Sequence, residues 1–139
     1  MTSPSAQLSA FLAKYSPEVA AHAREALDRL RARLPGAVEL VYDNYNALAI
    51  AFSPTERMAD IVCSIALYPR WVSLFLMRGV DLPDPENLLK GTGKGIRHIV
   101  LKEPALLDSP AVRALLAHAI RLAPTPFDSK AENRIVIKS

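Results

Sequence analysis

Three of the five glycines in this 139-residue chain lie at alternate positions, Gly91, Gly93 and Gly95. Glycine reaches backbone angles that are closed to other residues, so this spacing predicts a sharply turned loop. Successive exposed N–H groups in such a loop can form a concavity that binds anions. Positive side chains and a histidine flank the glycines, which predicts a pocket for a phosphate or a carboxylate. The predicted pocket comprises Lys90, Gly91, Gly93, Lys94, Gly95, Arg97 and His98.

Two familiar phosphate-binding motifs do not fit this loop. A P-loop needs a leading glycine where the chain has Leu88, and a serine or threonine where Gly95 follows the lysine. A dinucleotide-binding turn needs its third glycine one residue later and a helix after it, whereas a β-branched run follows here. A bulged turn that enters an edge strand, with its lysines in solvent, is the alternative to an anion site.

His98 could act as a general acid or base. Strand alternation places its side chain on the same face as Ile96 and Val100. Acid–base catalysis would need a partner carboxylate within hydrogen-bond reach, and the preceding irregular segment carries three acids. An enzyme therefore stays an alternative to a non-catalytic binding protein, and a half-buried structural histidine is the simpler interpretation. The acids are Asp81, Asp84 and Glu86.

A predicted helix presents a candidate metal site. Glu18, His22 and Glu25 follow one another at i, i+4 and i+7, within a narrow arc opposite the apolar stripe. Two carboxylates and an imidazole could hold a divalent cation. Arg29 lies on the same arc, where it would oppose a cation and form a favourable i, i+4 pair with Glu25. A solvated helix face is therefore the alternative to a metal site.

Aromatic residues concentrate in the predicted strands, where they suit a ligand pocket, base stacking or core packing. The first predicted hairpin carries Glu39 and Asp43 but no lysine or arginine. Because proteins that bind single strands also need a basic groove, nucleic acid is not an expected partner. The aromatic residues are Tyr42, Tyr45, Tyr68, Trp71 and Phe75.

Cys63 is the single cysteine of the chain and lies between Ile61 and Ile65 at strand spacing. It has no cysteine to pair with, and no histidine or basic residue stands near it in the sequence to activate its thiol. We expect Cys63 to be a small buried apolar residue.

Two serine–proline pairs predict helix starts, because serine caps a helix and proline fits its first turn. Apolar residues recur with the helical period from Ser16-Pro17 until Pro35-Gly36 ends the pattern. A second apolar stripe follows Ser109-Pro110. A shorter helix is predicted at about residues 5–14, before the first of these.

Alternation of apolar and polar residues predicts the strands. A hairpin over residues 38–52 precedes strands over 58–68, 71–77 and 96–102, and the closing run 134–138 is a candidate edge strand. The fold class is therefore α+β. It consists of an antiparallel sheet of about five or six strands flanked by N-terminal and C-terminal helices, in a single domain of residues 1–139.

Many strand residues are apolar on both faces, which predicts that the second face of the sheet is partly covered. Residues 78–90, a helix or a second copy of the chain could cover it. A homodimer is therefore one of the alternatives.

Three features of the chain occur together. They are the order of its elements, the segment Leu67-Tyr68-Pro69, and the run Gly93-Lys94-Gly95-Ile96-Arg97-His98-Ile99 before Leu106-Leu107-Asp108. In these features, over most of residues 8–122, the chain resembles the YdhG-like family of small bacterial α+β domains. Some members are described as frataxin-like iron chaperones, so the resemblance implies iron as a candidate ligand. The basic balance of this chain departs from the acidic ridge that such a role would imply.

The net charge of the chain is +3, and the excess lies in its second half. This balance agrees with a small anionic ligand or a protein as partner. The N-terminal residues lack the pattern of a signal peptide, and no apolar run reaches the length of a membrane span. We therefore expect a cytoplasmic protein with no membrane partner.

Overall fold

The computed structural model describes residues 2–44 and 46–138. The described residues form three α-helices and six β-strands. None of these helices has the length and apolar character needed to cross a membrane. The helices are α1, Pro4–Leu12; α2, Pro17–Arg33; and α3, Pro110–Leu122. The strands are β1, Val38–Asp43; β2, Leu48–Ser53; β3, Cys63–Leu67; β4, Val72–Leu76; β5, Arg97–Leu101; and β6, Arg134–Ile137.

Each helix begins at a serine followed by a proline. The side chains of Ser3, Ser16 and Ser109 accept hydrogen bonds from backbone N–H groups in the first turns of α1, α2 and α3, at 3.1, 3.2 and 3.4 Å. The capping satisfies N–H groups that have no partner within a helix, and the proline lacks an N–H that would need one. The starts of α2 and α3 confirm the sequence prediction.

The strands form one sheet in the order β5-β4-β3-β2-β1-β6. All neighbouring pairs are antiparallel except β1 and β6, which run parallel. Parallel pairing requires a crossover, and the chain from β1 to β6 passes through the other strands and α3. The α+β fold is thereby confirmed, and the closing run is the sixth strand.

The prediction of one long strand over residues 58–68 is wrong. Met58–Asp60 is a 3-10 helix, and β3 begins only at Cys63. The buried carboxylate of Asp60 accepts hydrogen bonds from the hydroxyls of Thr55, at 2.6 Å, and Thr125, at 3.3 Å. These bonds tie the turn to the segment after α3. Ile61 packs on the opposite face of the sheet from Cys63.

The two faces of the sheet differ in what covers them. On one face, buried residues of all three helices pack with alternate strand residues into one hydrophobic core. On the other face, hereafter the open face, Val38, Leu40 and Ala51 form a small cluster with Ile61 and neighbouring strand residues. Among the described residues, that cluster contains no residue of a helix. Leu82, Leu88 and Leu89 of the 78–90 segment pack with the core of the helical face rather than with this cluster.

Candidate functional site

The glycine loop, residues 90–98, is open to solvent where the glycines lie. Residues 91–94 and 96 are exposed, and Gly95 is half-buried. Within the described part of the chain, no hydrogen bond uses the backbone N–H groups of residues 91–96. Lys90 and Lys94 are exposed and form no ion pair with a described residue. The loop therefore offers donors and positive charge that the described residues do not use.

Only one of the three glycines needs to be glycine for its backbone angle. Gly91 has φ of 127°, a value that residues with a side chain rarely adopt, whereas Gly93 and Gly95 are not in the positive-φ region. A Cβ atom on Gly93 would meet nothing within 4 Å. The glycine at this position therefore leaves the backbone accessible from outside rather than relieving strain.

Arg97 stabilises the loop by donating hydrogen bonds to its backbone carbonyl groups. Its Nη1 donates to the carbonyl oxygens of Gly93, at 2.7 Å, and Ile96, at 2.8 Å. Gly79 lies so close to this side chain that an added Cβ would stand 2.4 Å from Cβ of Arg97. Arg97 thus holds the loop carbonyls, and Lys90 and Lys94 are the uncommitted cations of the predicted pocket.

Lys90 and His98 join the two ends of the loop. They form an isolated antiparallel bridge in which each N–H donates to the carbonyl of the other residue at 2.9 Å. Residues paired in this way point their side chains to the same side of the sheet, with Cβ atoms about 5 Å apart. Because His98 also pairs with Phe75 of β4, the side chains of Lys90, His98 and Phe75 form a row on the open face.

The structure does not bring His98 together with an acid. The ring of His98 lies against the ring of Phe75, with centroids 5.3 Å apart. No described carboxylate forms a hydrogen bond or ion pair with His98. The carboxylate of Asp84 accepts hydrogen bonds from the N–H groups of Leu88 and Leu89 at 2.9 and 2.8 Å, so it orders the approach to the loop.

The helix-face metal candidate lies on α2. Burial lowers the pKa of His22, although the charge of Glu25 opposes the shift, so the imidazole tends toward its neutral form. Its Nε2 is shielded from solvent and has no hydrogen-bond partner among the described residues. The carboxylate of Glu25 is engaged by Arg29 at 3.1 Å, and Glu18 is exposed. Across the described chain, no three His, Cys, Asp or Glu residues are grouped so that they could hold a metal ion.

Cys63 is fully buried on the helical face, as predicted. Burial raises the pKa of its thiol to about 12. At neutral pH the sulfur is therefore protonated, which makes it a poor nucleophile and metal ligand.

Two aromatic pairs lie on the open face. Tyr68 and Trp71 stack with centroids 4.7 Å apart at the hairpin between β3 and β4, and Phe75 and His98 lie nearer the glycine loop. Trp71 is 45% exposed. Tyr42 also lies on this face and packs against its small cluster, whereas Tyr45 falls outside the described residues.

A cleft of about 520 Å³ lies at the opposite end of the sheet from the glycine loop. Lys14 forms an ion pair with Asp43 at its wall, and the hydroxyl of Tyr15 donates to the carbonyl oxygen of Leu67. The sequence gives no sign of this cleft, because its wall joins α1, the β1–β2 hairpin and the turn after β3. The described lining residues are Lys14, Tyr15, Ser16, Asp43, Asn44, Asn46 and Pro69.

The row of Lys90, His98 and Phe75 is the part of the site that sequence reasoning missed. Alternation predicted the face of His98 correctly, but it cannot reveal which residue pairs with it across the sheet. The signal that was available is the eight-residue separation of Lys90 and His98 around three glycines, which is compatible with a closed loop.

Comparison with protein families, with curated proteins and with solved structures finds no match to this chain. The resemblance to the YdhG-like family and the iron binding that it implies therefore stay predictions.

Proposed function

We propose that this protein is a non-catalytic binding protein whose ligand is a small anion, held by the glycine loop. The observation that carries the proposal is the run of N–H groups over residues 91–96 that no described group accepts, in a loop whose residues are exposed apart from the half-buried Gly95. Backbone N–H groups that face one region are suited to the oxygens of a phosphate or a carboxylate.

The charges around the loop support an anion rather than a cation. Lys90 and Lys94 have no acidic partner among the described residues. By contrast, Arg29, Arg31 and Arg33 of α2 are all paired with carboxylates. Hydrogen bonds between charged groups are shorter and stronger than neutral ones, so an anion at the loop would gain from either lysine.

The internal bracing of the loop supports a preformed site. Arg97 holds the carbonyls of Gly93 and Ile96, and the bridge between Lys90 and His98 fixes both ends. A loop that is ordered before binding loses less conformational entropy when the ligand arrives. A cytoplasmic location, a homodimer and membership of the YdhG-like family agree with this proposal but do not carry it.

The proposal is tested by titration with inorganic phosphate, followed by calorimetry and by the backbone amide signals in NMR. We expect the shifted amides to be confined to the glycine loop. Lys94→Ala should weaken binding by about 10-fold or more, because it removes a charge-assisted hydrogen bond. Lys130→Ala is the matched control, since Lys130 is also exposed but lies in the segment before β6.

Two results would contradict the proposal. One is a phosphate titration that leaves the amides of residues 91–96 unshifted. The other is an unchanged affinity in Lys94→Ala. A parallel titration with Fe²⁺ tests the alternative from the family resemblance, which predicts shifts at Glu18, His22 and Glu25 on α2.

A further inference from the structure

We propose that the anion bound by the glycine loop carries a planar heteroaromatic ring, as a nucleoside monophosphate does. This inference rests on the proposed function and names the class of its ligand. In the arrangement we infer, the phosphate lies on the loop amides with Lys90 and Lys94, and the ring lies against the open face of the sheet beside Phe75 and His98.

The strand register places the loop cation and the two rings in one line. Lys90 is bridged to His98, and His98 is paired with Phe75, so the bridge residue and strands β5 and β4 each contribute one side chain to the same face. Paired side chains in such a row have Cβ atoms about 5 Å apart. A ligand bound at Lys90 that extends along this row therefore contacts the rings of His98 and Phe75.

The surface beside the two rings is accessible. Phe75 and His98 are both half-buried, and the open-face cluster of described residues contains no helix residue. The neighbours of Phe75 along and across the strands, Ser73 and Ser64, are themselves buried, whereas Phe75 and His98 stay partly exposed. Val100, next along β5 on the same face, is 42% exposed and extends the apolar surface.

The separation of the two parts of the site matches a phosphate and a ring in one small molecule. Gly93 follows Lys90 by three residues, so their Cα atoms lie at most about 11 Å apart. The ring of His98 belongs to the residue bridged with Lys90. The phosphate and base of a nucleotide are separated by a single sugar, which spans a gap of this order. A phosphate alone would leave the apolar part of the row unused.

The second aromatic pair on the open face provides an internal control. Trp71 precedes Phe75 by four residues along the strand, a distance of about 13 Å. Trp71 is stacked on Tyr68 at the end of the sheet away from the glycine loop. Substitutions of equal size at Trp71 and Phe75 therefore separate contact with the ligand from a general effect on the open face.

The test compares adenosine monophosphate, ribose 5-phosphate, adenosine and inorganic phosphate as ligands of the wild-type chain. We expect adenosine monophosphate to bind about 10-fold or more tightly than ribose 5-phosphate, because a base stacked on an aromatic side chain contributes that much. In NMR, the ring protons of His98 and Phe75 should shift with adenosine monophosphate and not with ribose 5-phosphate. This measurement requires no substitution, so it does not depend on the stability of a variant.

Phe75→Leu should remove most of the preference for adenosine monophosphate and leave the affinity for ribose 5-phosphate unchanged. Trp71→Leu should retain the preference. Equal affinities of the two phosphates for the wild-type chain, or equal losses in both variants, would overturn this inference while leaving anion binding intact. Failure of every phosphate compound to bind would instead overturn the proposed function.

Discussion

Arg31 holds the carboxylate of Glu39 through two parallel hydrogen bonds. Its Nε donates to Oε2 at 2.8 Å and its Nη2 donates to Oε1 at 2.9 Å. Glu39 lies on β1 and is 1% exposed, so its charge depends on this partner. The hydrogen bonds that Arg31 donates to Glu39 raise the pKa of Arg31, with burial acting in the opposite direction. The pair links α2 to the sheet inside the helical face.

Replacing Arg31 alone should destabilise the protein strongly. Arg31→Met leaves the buried carboxylate of Glu39 without its partner, and the free energy of unfolding should fall by about 3 kcal/mol. The double variant Arg31→Met/Glu39→Met removes both charges and should recover much of that loss. Urea unfolding of the single and double variants measures both values. A double variant no more stable than Arg31→Met would contradict this account of the pair.

Gly36 should tolerate no side chain. Its φ is 81°, and an added Cβ would lie 1.8 Å from the carbonyl oxygen of Asp128. Its N–H also donates to Oδ1 of Asn133 at 2.7 Å, so Gly36, three residues after the end of α2, anchors the segment that leads into β6. Gly36→Ala should lower the free energy of unfolding by more than about 2 kcal/mol, through backbone strain and the displaced segment.

Gly93→Ala is the control for this substitution. An added Cβ there would meet no atom within 4 Å, and its φ is not positive. Thermal unfolding of both variants is the measurement, and Gly93→Ala should unfold at nearly the wild-type temperature. Equal losses in the two variants would show that the contacts of Gly36 are not the cause.

Local signals were sufficient to predict the helices. A serine cap and a proline in the first turn act within a few residues, so Ser16-Pro17 and Ser109-Pro110 located α2 and α3 correctly. The alternation that placed His98 and Arg97 on opposite faces of β5 is also local, and the structure confirms it.

The features that the sequence did not predict involve contacts between distant parts of the chain. The strand predicted from residue 58 begins only at Cys63, after a turn in which Asp60 accepts hydrogen bonds from Thr55 and from Thr125, which lies 65 residues away. The parallel pairing of β6 with β1 joins segments about 96 residues apart in the chain, and Gly36 lies against the segment that leads into β6. The bridge between Lys90 and His98 in the candidate site could not be predicted either, because the sequence does not show which residues pair across neighbouring segments.

His22 should make the protein less stable in mild acid. Burial lowers the pKa of its imidazole below the ordinary value of 6.5, with the charge of Glu25 acting in the opposite direction. As the pH falls below that value, His22 becomes protonated in the unfolded chain while it stays neutral in the folded chain. The free energy of unfolding therefore decreases. The decrease ends once the pH is below the lowered pKa, where both states are protonated.

His22→Gln should reduce this loss of stability. Urea unfolding of the wild type and the variant at about pH 7.5 and about pH 5 gives the two differences to compare. An NMR titration of the His22 ring protons gives the direction of the pKa shift directly. An identical pH dependence in the two proteins would contradict the assignment of the effect to His22.

Asp108 should make stability depend on salt, because it joins two arginines of α2. Arg29 and Arg33 each donate to a different oxygen of its carboxylate. Burial lowers the pKa of Arg33, and the charges of Arg113 and Arg29 lower it further, so positive groups crowd this carboxylate. Asp108→Asn removes the charge that balances them and should lower the free energy of unfolding by about 1–2 kcal/mol at low salt.

Added sodium chloride should reduce the deficit of Asp108→Asn, since screening weakens the repulsion among the arginines. Asp28→Asn is the control, because Asp28 also pairs with an arginine but its side chain is 74% exposed. That substitution should cost less than about 0.5 kcal/mol at any salt concentration, as expected for a surface ion pair. Urea unfolding at low and high salt measures all four values. If the deficit of Asp108→Asn is independent of salt, the loss comes from packing or hydrogen bonding at Asp108 and not from the crowded positive charges.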